Sequence, residues 1–194
     1  MSRPAVFLDR DGTLLDDTGY PSRFDQVRIL PSSIAAVRKL NEAGFSTVIV
    51  TNQSGVGRGF LTEDELLVLH RSLAAAFEAQ GARLDAFYFC PHFSRAADPR
   101  YRIACDCRKP LPSLGRRAAA DLGLDLRRSF MIGDKEDDMN FGRAVGVVPV
   151  LVLTGYGREA RRKMAEKGTL PDIVAADVGE AVDRILARGS AAGS

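Results

Sequence analysis

Short apolar runs alternate with segments of helical periodicity along the whole chain, and few folds accommodate that pattern. The runs are rich in β-branched and aromatic residues and read AVFLD (5–9), FSTVIVT (45–51), AFYFC (86–90), SFMIGD (129–134) and VPVLVL (148–153). Alternation of this kind is typical of a parallel sheet covered by helices. The pattern therefore predicts an α/β fold of three layers with the sheet in the middle.

Helical patterns fill the gaps between these runs. In the first gap, apolar residues at helical spacing follow Ser32 and end at Gly44. In the second gap, Thr62 and Glu65 form a capping-box pattern ahead of a leucine-rich face. A further helix is expected over Ser113–Leu122, and two more should flank a short strand at DIVAA near the C-terminus.

Composition and charge exclude several classes of protein. The 27 basic and 25 acidic residues nearly balance, and no long basic run is interleaved with aromatic residues as on a nucleic-acid surface. No apolar stretch approaches the length of about 18 residues that a membrane span needs, and the N-terminus lacks a signal-peptide core. We therefore expect one cytoplasmic domain over residues 1–188, monomeric and without nucleic-acid or membrane partners, followed by a disordered tail over 189–194.

Polar residues that could carry chemistry follow three of the predicted strands. Asp9 and Asp11 follow the first strand, Thr51 and Asn52 close the second, and Asp134 follows the fourth. Aspartates in such positions are often only turn or helix-cap residues. Ligands of open α/β sheets bind outside the carboxyl ends of the strands, however, and three polar strand ends together favour a binding site there.

Four motifs appear in a characteristic order, DRDGT, TN, RKP and GDKEDD, and together they resemble the haloacid dehalogenase superfamily of phosphotransferases. The resemblance implies a Rossmann-like parallel sheet without a large cap domain. It also implies that Asp9 is the nucleophile, forming an aspartyl-phosphate, and that Asp11 is the general acid and then the base. Mg²⁺ would be held by Asp9, the backbone carbonyl of Asp11, and Asp134, while Thr51 and Lys109 would contact the phosphoryl oxygens.

These implied roles agree with the demands of phosphoryl transfer. A carboxylate that attacks a phosphate dianion meets strong electrostatic repulsion, so positive charge must be supplied beside it. Mg²⁺ accepts one or two carboxylates together with phosphate oxygens and water, and Lys109 would neutralise further oxygens. Asp138 is expected to orient Lys109 or the outer shell of the metal, whereas Asp137 could serve only at a helix start. The alternative for Lys109 is an ordinary surface lysine.

All three cysteines of the chain lie close to one of its two histidines. The four residues are Cys90, His92, Cys105 and Cys107, and in a reducing compartment three cysteines are poor disulfide candidates. Three thiolates and one imidazole form a complete tetrahedral set, the ligation expected of structural Zn²⁺. The alternative is that Cys90 is a buried thiol and the other cysteines are incidental. The other histidine, His70, is expected at the surface or its boundary, without a catalytic role.

The zinc ligands would hold together the ends of a loop over residues 90–107. Arg108 and Lys109 emerge directly from this loop, so the metal would fix the position of two cationic groups that bind phosphate. We therefore expect Zn²⁺ to support the active site without touching the substrate.

Within the superfamily, the segments DDTGY, TNQSGVGRG, CPH…CDCRKP and VLTGYG resemble the D,D-heptose 1,7-bisphosphate phosphatases. The resemblance implies removal of the 7-phosphate in the synthesis of nucleotide-activated heptose for lipopolysaccharide or other surface glycans. This chain departs from the family pattern CPHHP, because Phe93 and Ser94 follow His92. The substrate contacts that it implies, together with Arg58 as an addition, are Asp17, Thr18, Gly19, Tyr20, Thr51, Asn52, Gln53, Ser54, Arg58, Arg108, Lys109 and Lys135.

Other functions stay open on the sequence alone. The histidinol-phosphate phosphatases share the first motif and a similar zinc loop, but their second segment is typically TNQDGLGT, so TNQSGVGRG favours the heptose enzymes. Another small-molecule phosphomonoesterase and a DNA 3′-phosphatase are further alternatives, the latter disfavoured by the near-neutral charge. A non-catalytic zinc-stabilised interaction module would be expected to lack Asp9 or Asp11, and both are present.

Overall fold

The computed structural model describes residues 2–191, and its strands lie where the apolar runs predict them. The first five strands overlap the five runs, and the sixth coincides with DIVAA. In the described residues the strands are β1 (Arg3–Leu8), β2 (Ser46–Asn52), β3 (Ala86–Cys90), β4 (Leu124–Gly133), β5 (Val148–Val152) and β6 (Ile173–Ala175).

The helices alternate with the strands as predicted. Their bounds are α1 (Ser33–Glu42), α2 (Ser54–Gly57), α3 (Glu63–Glu78), α4 (Ser113–Leu122), α5 (Glu136–Val145), α6 (Gly157–Glu166) and α7 (Val178–Ala191). Thr62 and Glu65 form the predicted capping box at the start of α3. Helix α7 continues to Ala191, so the helix extends three residues into the segment 189–194 that was predicted to be disordered. Residues 192–194 lie outside the described part of the chain.

All strand pairs are parallel, and the order across the sheet is β3-β2-β1-β4-β5-β6. The chain moves outward from β1 to β3 and then crosses back, so that β4 pairs with the free side of β1. The sheet therefore reverses its direction of winding between β1 and β4. In open α/β sheets the ligand binds at this switch point, at the carboxyl ends of the strands. Asp9 directly follows β1 and Asp134 directly follows β4, so both aspartates lie at that edge of the sheet.

Helices cover both faces of the sheet. Successive side chains of a strand point to opposite faces, and Val6 and Leu8 accordingly belong to a different apolar cluster from Ala5 and Phe7. The first cluster packs the sheet against α1, α3 and α7, and the second packs it against α4 and α5. Buried side chains on both faces confirm the predicted three-layer architecture.

No cap domain interrupts the described part of the fold between β1 and α1. That connection contains a single turn of 3₁₀ helix at Phe24–Gln26, and the connection between β2 and β3 contains α2 and α3. The crevice at the strand ends is therefore bordered by loops. Among the described residues, no helix is both long enough and apolar enough to cross a bilayer.

Candidate active site

A cavity of about 390 Å³ lies at the carboxyl ends of β1, β2 and β4. Asp9 and Asp11 line it, together with ten of the twelve predicted substrate contacts. The ten residues are Asp17, Gly19, Tyr20, Thr51, Asn52, Gln53, Ser54, Arg108, Lys109 and Lys135. Asp137, Asp138 and Tyr156 also contribute to the lining, and Tyr156, which belongs to the VLTGYG segment, was not among the predicted contacts.

Lys109 is the central cation of this cavity. Its Nζ lies 2.8 Å from Asp9 Oδ1 and 2.6 Å from Asp138 Oδ1, and it donates a hydrogen bond to the carbonyl of Val50 at 2.7 Å. All three charged side chains are buried. Burial alone would lower the pKa of Lys109, but Asp138 and Asp9 outweigh burial and raise it. The lysine is therefore a buried cation held between two carboxylates, not a surface residue.

Asp9 is stabilised in its charged form. Burial alone would raise its pKa, but Lys109 and Lys135 outweigh burial and hold the pKa below its ordinary value. An ionised carboxylate is the form that a nucleophile requires. The electrostatics around Asp9 therefore suit nucleophilic attack.

Asp134 carries buried charge that the described residues do not compensate fully. Its Oδ2 accepts a hydrogen bond from the backbone N–H of Tyr156 at 2.8 Å, whereas its Oδ1 is buried without a hydrogen-bond partner. Burial, and after it the charge of Asp9, raises the pKa of Asp134 to about 7. Oxygen atoms of Asp9, Asp134 and Asp138 lie within 4.8 Å of one another. This arrangement fits a hard divalent cation such as Mg²⁺, which prefers carboxylate oxygens.

Asp138 is already engaged by other partners. One carboxylate oxygen contacts Lys109, and the other accepts a hydrogen bond from the backbone N–H of Lys135 at 2.9 Å. These contacts agree with the predicted task of orienting Lys109. The backbone at Gly12 closely approaches Asp134: a Cβ at this position would overlap the carboxylate of Asp134, and the φ of Gly12 is +84°. Only glycine allows this approach without strain.

A polar network connects Asp11 with Thr51. The side-chain amide of Gln53 donates hydrogen bonds to Asp11 Oδ2 and Thr51 Oγ1, each at 2.8 Å, and its Oε1 accepts one from Arg10 at 2.9 Å. Arg10 also contacts Asp11 directly and reaches His70 Nε2 at 3.2 Å. Sequence analysis did not identify Arg10, although it stands between the two aspartates of the first motif.

The predicted location of His70, at the surface or its boundary, is wrong. Its side chain is buried and stacks on Phe87 with ring centroids 4.7 Å apart. Helical spacing placed it on α3 but did not show that this part of the helix packs on β3. Burial, and after it the charge of Arg10, lowers the pKa of His70 to about 3, so the imidazole is neutral at physiological pH.

Lys109 is also anchored through its backbone. Its N–H donates to Asn52 Oδ1 at 3.0 Å, and its carbonyl accepts from Asn52 Nδ2 at 3.1 Å. Arg108, by contrast, is exposed, and its guanidinium donates a hydrogen bond of 3.4 Å to the carbonyl of His92. The core therefore fixes Lys109, whereas Arg108 depends on the loop that precedes it.

The predicted zinc ligands come together in space. Cys90 Sγ lies 3.7 Å from Cys105 Sγ and 3.6 Å from His92 Nδ1, and that nitrogen lies 3.2 Å from Cys107 Sγ. Tetrahedral Zn²⁺ with Zn–S bonds of about 2.3 Å separates its sulfur ligands by about 3.7 Å. The cluster is therefore compatible with a closed zinc site. Burial raises the pKa of the Cys90 and Cys107 thiols, so both thiolates need a nearby cation at neutral pH.

Two predicted substrate contacts, Thr18 and Arg58, do not line the cavity. The guanidinium of Arg58 lies 3.7 Å from the centroid of the Phe93 ring and 5.8 Å from that of Tyr20. Stacking on these aromatic rings engages the planar cation. Lys135 remains close to the acids, with its Nζ 3.7 Å from Asp134 Oδ1.

The chain is similar to bacterial sugar phosphatases. A family model described as HAD-hydrolase-like matches residues 106–181. The D-glycero-beta-D-manno-heptose-1,7-bisphosphate 7-phosphatase of Yersinia pestis is 42% identical over 155 residues, covering 79% of this chain and 82% of the relative. The D-glycero-D-manno-heptose-1,7-bisphosphate 7-phosphatase of Thermosynechococcus vestitus is 40% identical over 192 residues, covering 95% and 96%.

A solved structure shares the architecture over nearly its full length. The D,D-heptose 1,7-bisphosphate phosphatase from B. bronchiseptica, complexed with magnesium and phosphate, superimposes with a TM-score of 0.82. It is 31% identical, and the match covers 95% of this chain and 99% of the other.

Proposed function

The chain belongs to the D,D-heptose 1,7-bisphosphate 7-phosphatase family of haloacid dehalogenase-like hydrolases, and we propose that it removes the 7-phosphate of D-glycero-D-manno-heptose 1,7-bisphosphate. The observation that carries the proposal is the buried Lys109 beside Asp9 at the switch point of the sheet, 2.8 Å from its carboxylate. A carboxylate that is kept ionised next to a fixed cation suits attack on a phosphate group.

In the proposed reaction, a carboxylate oxygen of Asp9 attacks phosphorus and the bond to the sugar oxygen breaks. Asp11 gives its proton to that leaving oxygen and thereby becomes a base. It then takes a proton from water, which attacks the aspartyl-phosphate and releases inorganic phosphate while Asp9 is restored. Lys109 and the Thr51 hydroxyl lower the charge repulsion on the phosphoryl oxygens throughout.

Mg²⁺ and Zn²⁺ have separate tasks in this proposal. Asp9 and Asp134, with the backbone carbonyl of Asp11, would hold Mg²⁺, which neutralises phosphate charge and orients the phosphoryl group when bound. The Oδ1 of Asp134, which is buried and accepts no hydrogen bond, supports this assignment. Cys90, His92, Cys105 and Cys107 would hold a structural Zn²⁺ without an open position.

A bisphosphate substrate carries a second phosphate that is not transferred, and it needs cationic contacts of its own. Arg108 and Lys135 line the cavity beyond Lys109, and a forked guanidinium binds phosphate well. We propose Arg108 as the principal contact of this second phosphate.

The near-neutral charge balance supports a small sugar substrate over nucleic acid, and the three free cysteines support a reducing, cytoplasmic setting. A monomer is the state we propose.

The test compares phosphate release from four substrates at saturating Mg²⁺. These are the α and β anomers of heptose 1,7-bisphosphate, histidinol phosphate and a 3′-phosphorylated oligonucleotide. We expect kcat/KM for one heptose anomer to exceed the values for the last two by at least about 10²-fold, since enzymes reject substrates that leave buried polar groups unpaired. A preference for histidinol phosphate would overturn the assignment.

A further inference from the structure

A chain of buried hydrogen bonds runs from α3 to Asp11 and Thr51 in the cavity. It consists of His70, Arg10 and Gln53, which we call the buried relay. The exposed fractions are 3%, 1% and 4%, so almost no solvent reaches these polar groups. Buried polar groups that lack partners are costly. The contacts of the relay therefore hold each side chain in one orientation.

The chemistry of Arg10 fixes the direction of every bond in the relay. A guanidinium only donates, so His70 Nε2, 3.2 Å from Arg10, must be the acceptor of that bond. Arg10 likewise donates to Gln53 Oε1 at 2.9 Å. The amide oxygen of Gln53 thus faces Arg10, and its NH₂ group faces the cavity. The buried imidazole is neutral, in agreement with its lowered pKa, and can accept.

The orientation of Gln53 has consequences for both of its other partners. Its NH₂ group donates to Asp11 Oδ2 and to Thr51 Oγ1, each at 2.8 Å. Because the Thr51 hydroxyl already accepts this bond, its own O–H is free to donate elsewhere, and Thr51 lines the cavity. Asp11 is held from two sides, since Arg10 Nε and NH2 also donate to its carboxylate at 3.0 and 2.9 Å.

Two aromatic rings pack against His70, at the α3 end of the relay. Phe87 stacks on the His70 ring at 4.7 Å with an interplanar angle of 23°, and Phe89 meets it edge-on at 5.8 Å. Both phenylalanines belong to β3, so the acceptor nitrogen sits between a helix and a strand of the core. A fixed acceptor is what keeps a long arginine side chain in a single conformation.

We infer that His70, Arg10 and Gln53 are positioning residues that aim the Thr51 hydroxyl at the transferred phosphoryl group and hold the Asp11 carboxylate beside the leaving oxygen. The inference rests on the proposed function, because it takes Asp11 as the proton carrier and Thr51 as a phosphate contact. It extends the active site through Arg10 to α3, a helix that does not itself touch the substrate cavity.

The decisive variant is Gln53→Glu, which keeps the shape of the side chain and the contact to Arg10 but replaces the NH₂ group with an acceptor. Thr51 would then donate to Glu rather than to phosphate, and the two carboxylates would repel each other. We expect kcat to fall about 10²-fold, as for a misplacement of about 1 Å. KM should rise by a smaller factor than kcat falls, because the added negative charge weakens ground-state binding of phosphate whereas the main loss is of transition-state contacts.

Further variants test the rest of the relay. Arg10→Lys keeps the charge but not the fork, and we expect a loss of kcat similar to that of Gln53→Glu. His70→Phe keeps the ring but removes the acceptor, and it should lower kcat about tenfold, whereas His70→Gln supplies an acceptor and should recover most of the loss. Leu73→Ala, in the apolar core on the same helix, is the stability control and should lower the melting temperature while leaving kcat unchanged.

Each variant is assayed with heptose 1,7-bisphosphate and with p-nitrophenyl phosphate. If the wild-type protein cleaves only the second compound, the proposed substrate fails but the relay is still tested. Wild-type kcat in Gln53→Glu and Arg10→Lys would overturn the relay. The relay would also be overturned if Leu73→Ala, at the same melting temperature as a relay variant, lost as much kcat as that variant. The loss would then be an effect of stability.

Discussion

The Nζ of Lys109 lies 2.8 Å from Oδ1 of Asp9, with the lysine and aspartate side chains only 2% and 6% exposed. An ion pair so far from water is not explained by stability, because burying two charges costs about as much as their attraction returns. We propose that the pair serves catalysis, because it fixes a positive charge where, in the proposed reaction, the phosphoryl group approaches the Asp9 carboxylate.

Replacing Lys109 tests this relationship. We expect Lys109→Met to lower kcat by about 10²–10³-fold, the scale found when a fixed electrostatic contact to the transition state is removed. The variant should also raise the pKa of Asp9, since Lys109 is the largest influence that lowers it. Steady-state kinetics, with a melting curve at the assay temperature, provides the measurement. Lys135→Met, which removes a less buried lysine of the same cavity, is the matched control and should lose less.

Removing zinc should affect Arg108 and Lys109 differently. Lys109 is tied to Asn52 by two backbone hydrogen bonds and to the core by its side chain, whereas Arg108 is exposed and directly follows the loop that the proposed zinc site would hold. Chelation followed by resupply of Mg²⁺ should therefore raise KM for heptose bisphosphate by about tenfold and lower kcat less. Folded, zinc-free protein with unchanged KM would contradict this account of the loop.

Two arginines near the cavity should differ in their effect on binding. Arg108 lines the cavity, but Arg58 stacks on Phe93 outside it. We expect Arg108→Ala to raise KM for heptose bisphosphate by about 10–10²-fold through loss of charge-assisted hydrogen bonds, and Arg58→Ala to raise it by less than about threefold. With p-nitrophenyl phosphate, which has one phosphate, the difference should disappear. Equal effects on the bisphosphate would place Arg58 in the substrate site after all.

The buried neutral His70 predicts a specific dependence of stability on pH. Its pKa is lowered from 6.5 to about 3, so between these pH values the unfolded chain binds a proton that the folded chain does not. Stability from this residue is therefore complete above about pH 6.5 and decreases by about 1.4 kcal/mol per pH unit below it. His70→Gln has no titrating group at this position and therefore lacks this pH-dependent contribution to stability.

Urea unfolding of the wild type and of His70→Gln at two pH values measures the difference. From about pH 7.5 to about pH 5.5, the wild type should lose about 1.4 kcal/mol more unfolding free energy than the variant. All other titrating groups are common to both proteins and cancel. Parallel loss in the two proteins would mean that His70 takes up its proton in the folded state with an ordinary pKa.

The fold and the position of the aspartates at the strand ends could be predicted because their signals are local. Each strand is an apolar run with clear ends, and Asp9 and Asp134 are adjacent to those ends in sequence. The grouping of Cys90, His92, Cys105 and Cys107 could be predicted because cysteine and histidine are rare in this chain. Each of these features is visible within a short segment.

The relay was missed because its contacts join distant residues. Arg10 and His70 are 60 positions apart, and an arginine beside two aspartates reads as an exposed ion pair. A histidine on a helix gives no sign of the strand that covers it. The position of Arg58 was missed for the same reason, since the Phe93 ring that holds it belongs to the zinc loop.

The position of the bond that is broken distinguishes the proposed reaction from its alternatives. ³¹P NMR of heptose 1,7-bisphosphate treated with the Mg²⁺-loaded protein should show inorganic phosphate and heptose 1-phosphate in equal amounts, and Asp9→Asn should show neither. Formation of heptose 7-phosphate, or phosphate release by Asp9→Asn well above the uncatalysed rate, would contradict the account.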